Sequence, residues 1–411
     1  MKRFVSVLLL GSSVLFGAED LKMLLDAAHQ NDLVDVYLQQ AESARLDYRS
    51  AKSSYLPRVD LGASAVFVDE KGSIDVGETY NTYAKASLTL FDGFKRENTF
   101  KEKRSRIGAS ESDLQAYKKS LSLEVAQNYF NLLNLYGDID AQLQNRKQLQ
   151  EQLKRQERFL EARIVTAEEV ERIKAALANA DYQIEQLRYN AEALEYALYT
   201  LTGIEIDELL PSRIAEPEYA QTREPDAIRS LRHQAEATAY AARGSNPAFY
   251  PTIVVEDTYG FYEYRDEPTG FPIDRADKQN RFMAVLSLNL LDFSSASERE
   301  QALMAQKNAL ESQIAYELKR ADADVRLSIK AIQRAKALIA AAKLALSASQ
   351  KTYDAVEKKY NARIVDYVKF LDALYQKTDA LAQYNRAKNT LQSAYAQYYY
   401  HAGYDLKEYV Q

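Results

Sequence analysis

The residues that could do chemistry are scattered along this chain rather than gathered. Its three histidines, His29, His233 and His401, lie far apart. There is no cysteine, which excludes both a thiolate nucleophile and a disulfide. No HExxH pair, no paired CxxC and no glycine-rich phosphate loop occurs, so the usual zinc and phosphate signatures are missing. Carboxylates are plentiful, with 59 Asp and Glu against 53 Lys and Arg. They are spread over long charged segments with helical periodicity, and no acid–base pair stands out among them. No catalytic residue, cofactor site or metal site is therefore expected.

The elements are more informative than any single side chain. Ala162-Arg163-Ile164-Val165 returns as Ala362-Arg363-Ile364-Val365. At the same offset Leu88, Leu90 and Asp92 match Leu288, Leu290 and Asp292, and Tyr199 and Gly203 match Tyr399 and Gly403. Solenoid repeats are about twenty to fifty residues long. A unit several times longer is a duplicated half-molecule with its own strands and helices.

The first eighteen residues read as a secretory signal: Lys2 and Arg3, an apolar run Phe4 to Leu15, then Gly17-Ala18. Removing it takes Lys2 and Arg3 away, and the formal charge goes from −6 to −8. An exported acidic chain is a poor candidate for nucleic acid. No later stretch is long and apolar enough for a membrane helix, so any span would have to be a closed β-barrel. Thirty Tyr with no Trp suits half-wet settings such as bilayer interfaces and subunit contacts. With 13 Gly and 8 Pro in 411 residues, long uninterrupted elements are expected.

Residues 20 to 55 have helical period, with Leu21, Leu24, Leu25, Ala28, Leu33, Val36 and Tyr37 on one face, and Pro57 ends them. The period then changes to two. Val59, Leu61, Ala63, Ala65 and Phe67 alternate with Arg58, Asp60, Gly62 and Ser64; after a polar loop, Thr82 to Leu90 alternates likewise, giving a hairpin over 58–91. A second hairpin is predicted over 252–291, with Ile253, Val255, Tyr259 and Phe261, a loop holding Pro268, Gly270 and Pro272, and then Phe282 to Leu290. Each strand has about the length of a tilted strand crossing a bilayer. Four strands cannot close a barrel, so a membrane role requires several chains.

Both hairpins lead into very long helices, from Gly93 to Glu161 and from Ser294 to Tyr360, with Asp92 capping the first and Ser295-Ala296-Ser297-Glu298 forming a capping box for the second. About 67 residues at 1.5 Å each make a helix about 100 Å long, which requires a coiled-coil-like bundle. The basic run Lys95, Arg96, Lys101, Lys103, Arg104 and Arg106 is interleaved with Glu97 and Glu102, and reads as a solvated helix face near lipid headgroups. After each Ala-Arg-Ile-Val a return helix follows, with apolar seams Val170, Ile173, Leu177 and Val368, Leu371, Leu374. The chain thus divides into a signal (1–18), a first repeat (19–203), a link (204–223) and a second repeat (224–411).

In this order and duplication the chain resembles the TolC-type outer membrane efflux proteins. The resemblance rests on Leu56-Pro57 and Tyr250-Pro251 before strands, on Leu88-Thr89-Leu90-Phe91-Asp92-Gly93 and Leu288-Asn289-Leu290-Leu291-Asp292, and on the two helical turns. It implies an α plus membrane β-barrel fold: a homotrimer with four strands per chain in one shared barrel, in outer-membrane lipid, continued by antiparallel helices in the periplasm. It also implies export of small molecules or proteins, with a periplasmic adaptor and an inner-membrane transporter as partners. The turn motif of the family falls on Arg163, Ile164, Val165 and on Arg363, Ile364, Val365, the expected docking tips. There the family usually has glycine where this chain has Arg163 and Arg363; arginine reaches positive φ less cheaply, so the turn is expected to differ. The acidic aperture of the family falls on Asp372, with Lys369 in place of a second acid and Glu169 as the counterpart in the first half. The rival reading is a soluble periplasmic coiled-coil adaptor or scaffold. It accounts for the signal and the helices but poorly for four apolar-alternating strands.

Overall fold

A computed structural model describes residues 19–72, 74–219, 222–245, 250–266 and 274–411. The signal segment 1–18 and the loop residues Pro268, Gly270 and Pro272 lie outside these residues. The elements follow in the order α1 (Leu21–Ala28), α2 (Asp32–Ser53), β1 (Arg58–Phe67), β2 (Glu78–Asp92), α3 (Lys95–Glu161) and α4 (Ala167–Thr202). They continue as α5 (Asp226–Ser245), β3 (Thr252–Arg265), β4 (Lys278–Ser287), α6 (Ser295–Asn361), α7 (Tyr367–His401) and a short 3-10 turn, Leu406–Tyr409. The two long helices have 67 residues each. Two compact units result. One holds Gln115–Pro225 and Lys319–Gln411 with the described residues up to Asp35; the other holds Val36–Leu114 and Asp226–Leu318.

The second of these units carries a single antiparallel sheet in the order β1-β2-β3-β4. Its register puts Leu61, Ala84 and Tyr259 on one rung and Val59, Ala86, Asp257 and Phe282 on the next. On these two rungs the face is apolar apart from Asp257 and Asn280, the partner of Tyr259, and it is open: Leu61 is 83 % exposed. The opposite face carries the polar set, where Lys85 pairs with Glu256 at 2.8 Å and Arg58 with Asp60 at 2.8 Å. An exposed apolar face of this extent requires a cover. Among the described residues, the outer strands β1 and β4 each have one edge without a strand beside it.

Three local features differ from the sequence expectation. First, β4 stops at Ser287 instead of running to Leu291, because Ser287 pairs with Thr252, the first residue of β3, and among the described residues no strand pairs with Leu288 to Leu291. Second, the predicted helix over 20–55 is broken at residues 29–31. Asn31 caps α2 by accepting from the Leu33 N–H (2.8 Å), while its amide donates to the Thr200 and Leu201 carbonyls at the end of α4. Third, α6 is not capped by a Ser295 box. Asp292 accepts from the Ser294 and Ala296 N–H groups, just as Asp92 accepts from Arg96 N–H at the start of α3. The duplicated aspartate therefore does one job in both halves.

In the unit that holds the return helices, α4 buries Val170, Ile173, Ala180, Ile184, Ala191 and Leu198, whose three-, four- and seven-residue spacings are those of a coiled-coil seam. On α7 the seam is shifted from the predicted one. Leu374 is buried and Leu371 partly buried as expected, but Val368 is exposed, and Tyr367, Phe370 and Ala373 are buried on its other side. Tyrosines fasten the link to the helices. The Tyr129 hydroxyl donates to the Leu210 carbonyl and accepts from the Ser212 N–H, and the Tyr399 hydroxyl donates to the Ala215 carbonyl at 3.1 Å. Burial, with Tyr409 stacked on its ring at 3.9 Å, pushes the Tyr399 phenol up to about 12. Part of the tyrosine excess is thus structural, since a phenol buries a ring and still satisfies a carbonyl.

Candidate functional site

The two Ala-Arg-Ile-Val turns have the same geometry. At the end of α3 the Ile164 N–H donates to the Phe159 carbonyl (2.8 Å) and the Arg163 N–H to the Leu160 carbonyl (2.8 Å). At the end of α6 the Ile364 N–H donates to Lys359 (2.8 Å) and the Arg363 N–H to Tyr360 (2.9 Å). This is the Schellman pattern, which needs a left-handed residue just past the helix. Arg163 has φ 57° and Arg363 φ 60°. The expectation that arginine would alter the turn is therefore corrected: the left-handed position is kept despite a cost of roughly 1–2 kcal/mol for a side chain there. Paired hydrogen bonds hold it. Asp366 then starts α7 by accepting from the Lys369 N–H (2.9 Å), while Thr166 starts α4 without a side-chain bond.

The turns are tied to each other. The Arg363 guanidinium lies over the Phe159 ring, 5.2 Å from its centroid. Arg155 donates to the Asn361 side-chain oxygen, and the Gln156 amide to the Tyr360 hydroxyl. Behind them is an aromatic block: Tyr360 stacks on Phe370 (4.9 Å, 20°), with Tyr353 and Tyr367 each about one ring further. Burial raises the phenol pKa of Tyr360, with the Glu169 carboxylate as a second, smaller cause, and burial also raises that of Tyr367. The Tyr367 hydroxyl is buried without a hydrogen-bond partner. Among these groups lies a cavity of about 270 Å³.

Of the residues singled out from sequence, Ile164, Val165, Glu169, Arg363 and Val365 line this one cavity. Arg163 and Ile364 are exposed beside it and do not line it. Asp372 is not part of it: it is exposed on α7, where its carboxylate accepts from the Gln376 amide at 3.0 Å. Sequence reading missed Gln156, Phe159 and the tyrosines. A signal was there, because Tyr353, Tyr360 and Tyr367 recur every seven residues. The turn between them hid it. Among the described residues no group of His, Cys, Asp and Glu is placed to hold a metal ion.

A site of hydrogen-bonded turns, stacked rings and surface charge has the makings of a contact surface, with no nucleophile or acid–base pair. Residues 24–204 match the family model described as outer membrane efflux protein. No curated protein sequence matches the chain. Among solved structures, the CmeC outer membrane channel of Campylobacter jejuni superposes with a TM-score of 0.82 at 18 % identity, over 93 % of this chain and 85 % of that one. The outer membrane protein VceC of Vibrio cholerae gives 0.81 at 16 %, over 94 % and 96 %. The open-state MtrE outer membrane channel of Neisseria gonorrhoeae gives 0.77 at 19 %, over 94 % and 89 %. At these identities the structural likeness shows a shared fold. The family likeness is carried by residues 24–204, in the first half of the chain.

Proposed function

We propose that three copies of this chain form one channel-tunnel across the outer membrane, the outer component of a tripartite efflux or type I secretion system. The observation that carries this reading is the sheet: four antiparallel strands, an exposed apolar face and two open edges. Such a sheet is completed by neighbouring copies that pair along the edges, with lipid covering the apolar face. Closure from three identical chains gives a twelve-stranded barrel, within the range of membrane barrels. The long helices then extend into the periplasm and end in the Arg163 and Arg363 turns. There a periplasmic adaptor docks and connects the channel to an inner-membrane transporter, which delivers small molecules or proteins. The two repeats, 19–203 and 224–411 around the 204–223 link, each supply one hairpin and one helical pair. Asp372 and Glu169 are assigned to the periplasmic aperture.

The test is the native mass of the protein extracted by detergent from an outer-membrane fraction. Three chains in one detergent-bound particle support the shared barrel. A detergent-independent monomer or dimer in the soluble periplasm would sink it and leave the coiled-coil scaffold.

A further inference from the structure

The polar side of the sheet is its inner side. On β2, Asn81, Tyr83, Lys85 and Ser87 are half-buried, while Thr82, Ala84 and Ala86 between them are exposed. On β3, Thr258, Gly260, Tyr262 and Tyr264 are covered, while Asp257, Tyr259, Phe261 and Glu263 are exposed. Side chains crowd one another on the concave side of a curved sheet and spread apart on the convex side. The alternation therefore marks the polar side as the inner wall of the barrel that the sheet closes into. In a membrane barrel that wall faces water and the other faces lipid.

Over the rungs that β1 spans, five charged side chains lie on the inner wall. Arg58 shares a rung with Ser87, Glu256 and Met283, and the next rung on that side holds Asp60, Lys85, Thr258 and Arg281. Arg58 pairs with Asp60 and Lys85 with Glu256, each at 2.8 Å. Arg281 is left over. Among the described residues no carboxylate pairs with it, and its guanidinium donates to the Gln279 side chain at 3.4 Å. Three cations thus stand against two anions, an excess of one positive charge in each chain.

The two inner-wall rungs nearer the β1–β2 loop carry no charge. They hold Gly62, Tyr83, Gly260 and Gln279, then Ser64, Asn81 and Tyr262. There the rings lie along the wall: a Cβ at Gly62 would stand 2.5 Å from the Tyr83 ring, and one at Gly260 3.0 Å from that of Tyr262. Rings laid over glycines leave the way to Arg281 clear of their bulk.

We propose that Arg281 of the three copies forms a cationic belt inside the barrel, which favours solutes bearing carboxylate, sulfonate or phosphate groups and holds back cationic ones. Rings of Arg or Lys select anions because their field raises the local anion concentration. The proposal rests on the shared barrel and adds to it a residue that decides which charge passes.

The chain has no cysteine, so one introduced thiol reports on its own surroundings. Full-length Thr258→Cys, on the rung of Arg281, is extracted in detergent. It is treated separately with an anionic reagent, sulfonatoethyl methanethiosulfonate, and a cationic one, trimethylammonioethyl methanethiosulfonate. The anion-to-cation rate ratio is divided by the same ratio for 2-mercaptoethanol. At low salt the quotient should exceed one. On this background Arg281→Gln removes a unit charge about 6 Å away and should lower the quotient on the order of tenfold, whereas Arg281→Lys should keep it. Molar salt should bring it close to one. A quotient at or below one, or one that Arg281→Gln leaves unchanged, overturns the belt. Where the Arg281→Gln chain fails to assemble, Gln279→Glu sets an acid beside the guanidinium and must lower the quotient; no change there also overturns the belt. Native mass and a second reporter identify a failure of the barrel itself. Leu61→Cys, on the outer wall, should be shielded by detergent and react slowly with both reagents. A monomeric particle, or a Thr258→Cys thiol silent to both reagents, removes the shared water-filled barrel.

Discussion

Arg163 and Arg363 occupy equivalent left-handed positions, yet their surroundings differ. Arg363 lies over the Phe159 ring, a cation–π contact worth about 0.5–1 kcal/mol at an exposed site. Among the described residues no such ring contact is seen for Arg163. The strain of a side chain at positive φ is roughly 1–2 kcal/mol in each case. Arg163→Gly should therefore stabilise the protein by about 1 kcal/mol, whereas Arg363→Gly should be closer to neutral, since relief of strain is offset by loss of the ring contact. Thermal melting of the helical signal in detergent measures both. A larger gain at position 363 than at 163 would contradict the assigned role of the guanidinium. Neither arginine's conformation was legible in the sequence, because the residue type argues against positive φ and only the paired backbone bonds of the turn overrule it.

At the scale of elements, the helix ends explain where the two halves are alike and where they diverge. Gly203 and Gly403 both follow return helices, at φ 72° and 78°. A Cβ added at Gly203 meets nothing within 4 Å, while at Gly403 it would lie 2.5 Å from the Arg223 carbonyl oxygen. Gly203→Ala should then cost only the conformational term, about 1 kcal/mol. Gly403→Ala should cost clearly more, because backbone must move, and Lys119, which donates to the Gly403 carbonyl at 2.9 Å, is pulled with it. Denaturant or thermal unfolding of the two variants side by side tests this; equal losses would refute the close approach. The repeat of the two glycines was readable from sequence. The difference between them was not, because Arg223 is remote in the chain and reaches Gly403 only through folding.

At the scale of the whole molecule, the assignment of Asp372 to an aperture is separable from the shape of the tips. Asp372 is exposed, and in a ring of three chains its carboxylates would attract cations and repel one another. Asp372→Asn should reduce the preference for cations over anions, read as a shift of the reversal potential in planar bilayers under a salt gradient. An unchanged reversal potential would remove Asp372 from the conducting path. Assembly also bears on composition. Buried phenols such as Tyr129 and Tyr399 tie the link to the helices, while Tyr182, Tyr189 and Tyr196 stand exposed on α4. Tyrosine serves both because one side of the ring is apolar while the hydroxyl tolerates water or a carbonyl.

The sequence by itself determined the duplicated order of hairpin, long helix and return helix. Period and punctuation are local: alternation from Arg58 to Phe67, the near absence of glycine and proline in α3 and α6, and Asp92 repeated as Asp292 all act through neighbouring residues. It also determined that the strands of one chain are too few to close a barrel. Only the tertiary structure decided which of the tip residues meet. Arg363, Val365, Val165 and Glu169 share one cavity while Asp372 stands apart, and the tyrosines at 353, 360 and 367 complete the site behind the turns. It also decided that β4 ends at Ser287, where its partner strand begins. These outcomes depend on contacts between residues up to some 200 positions apart, and local propensity carries no information about which of many compatible partners folding brings together.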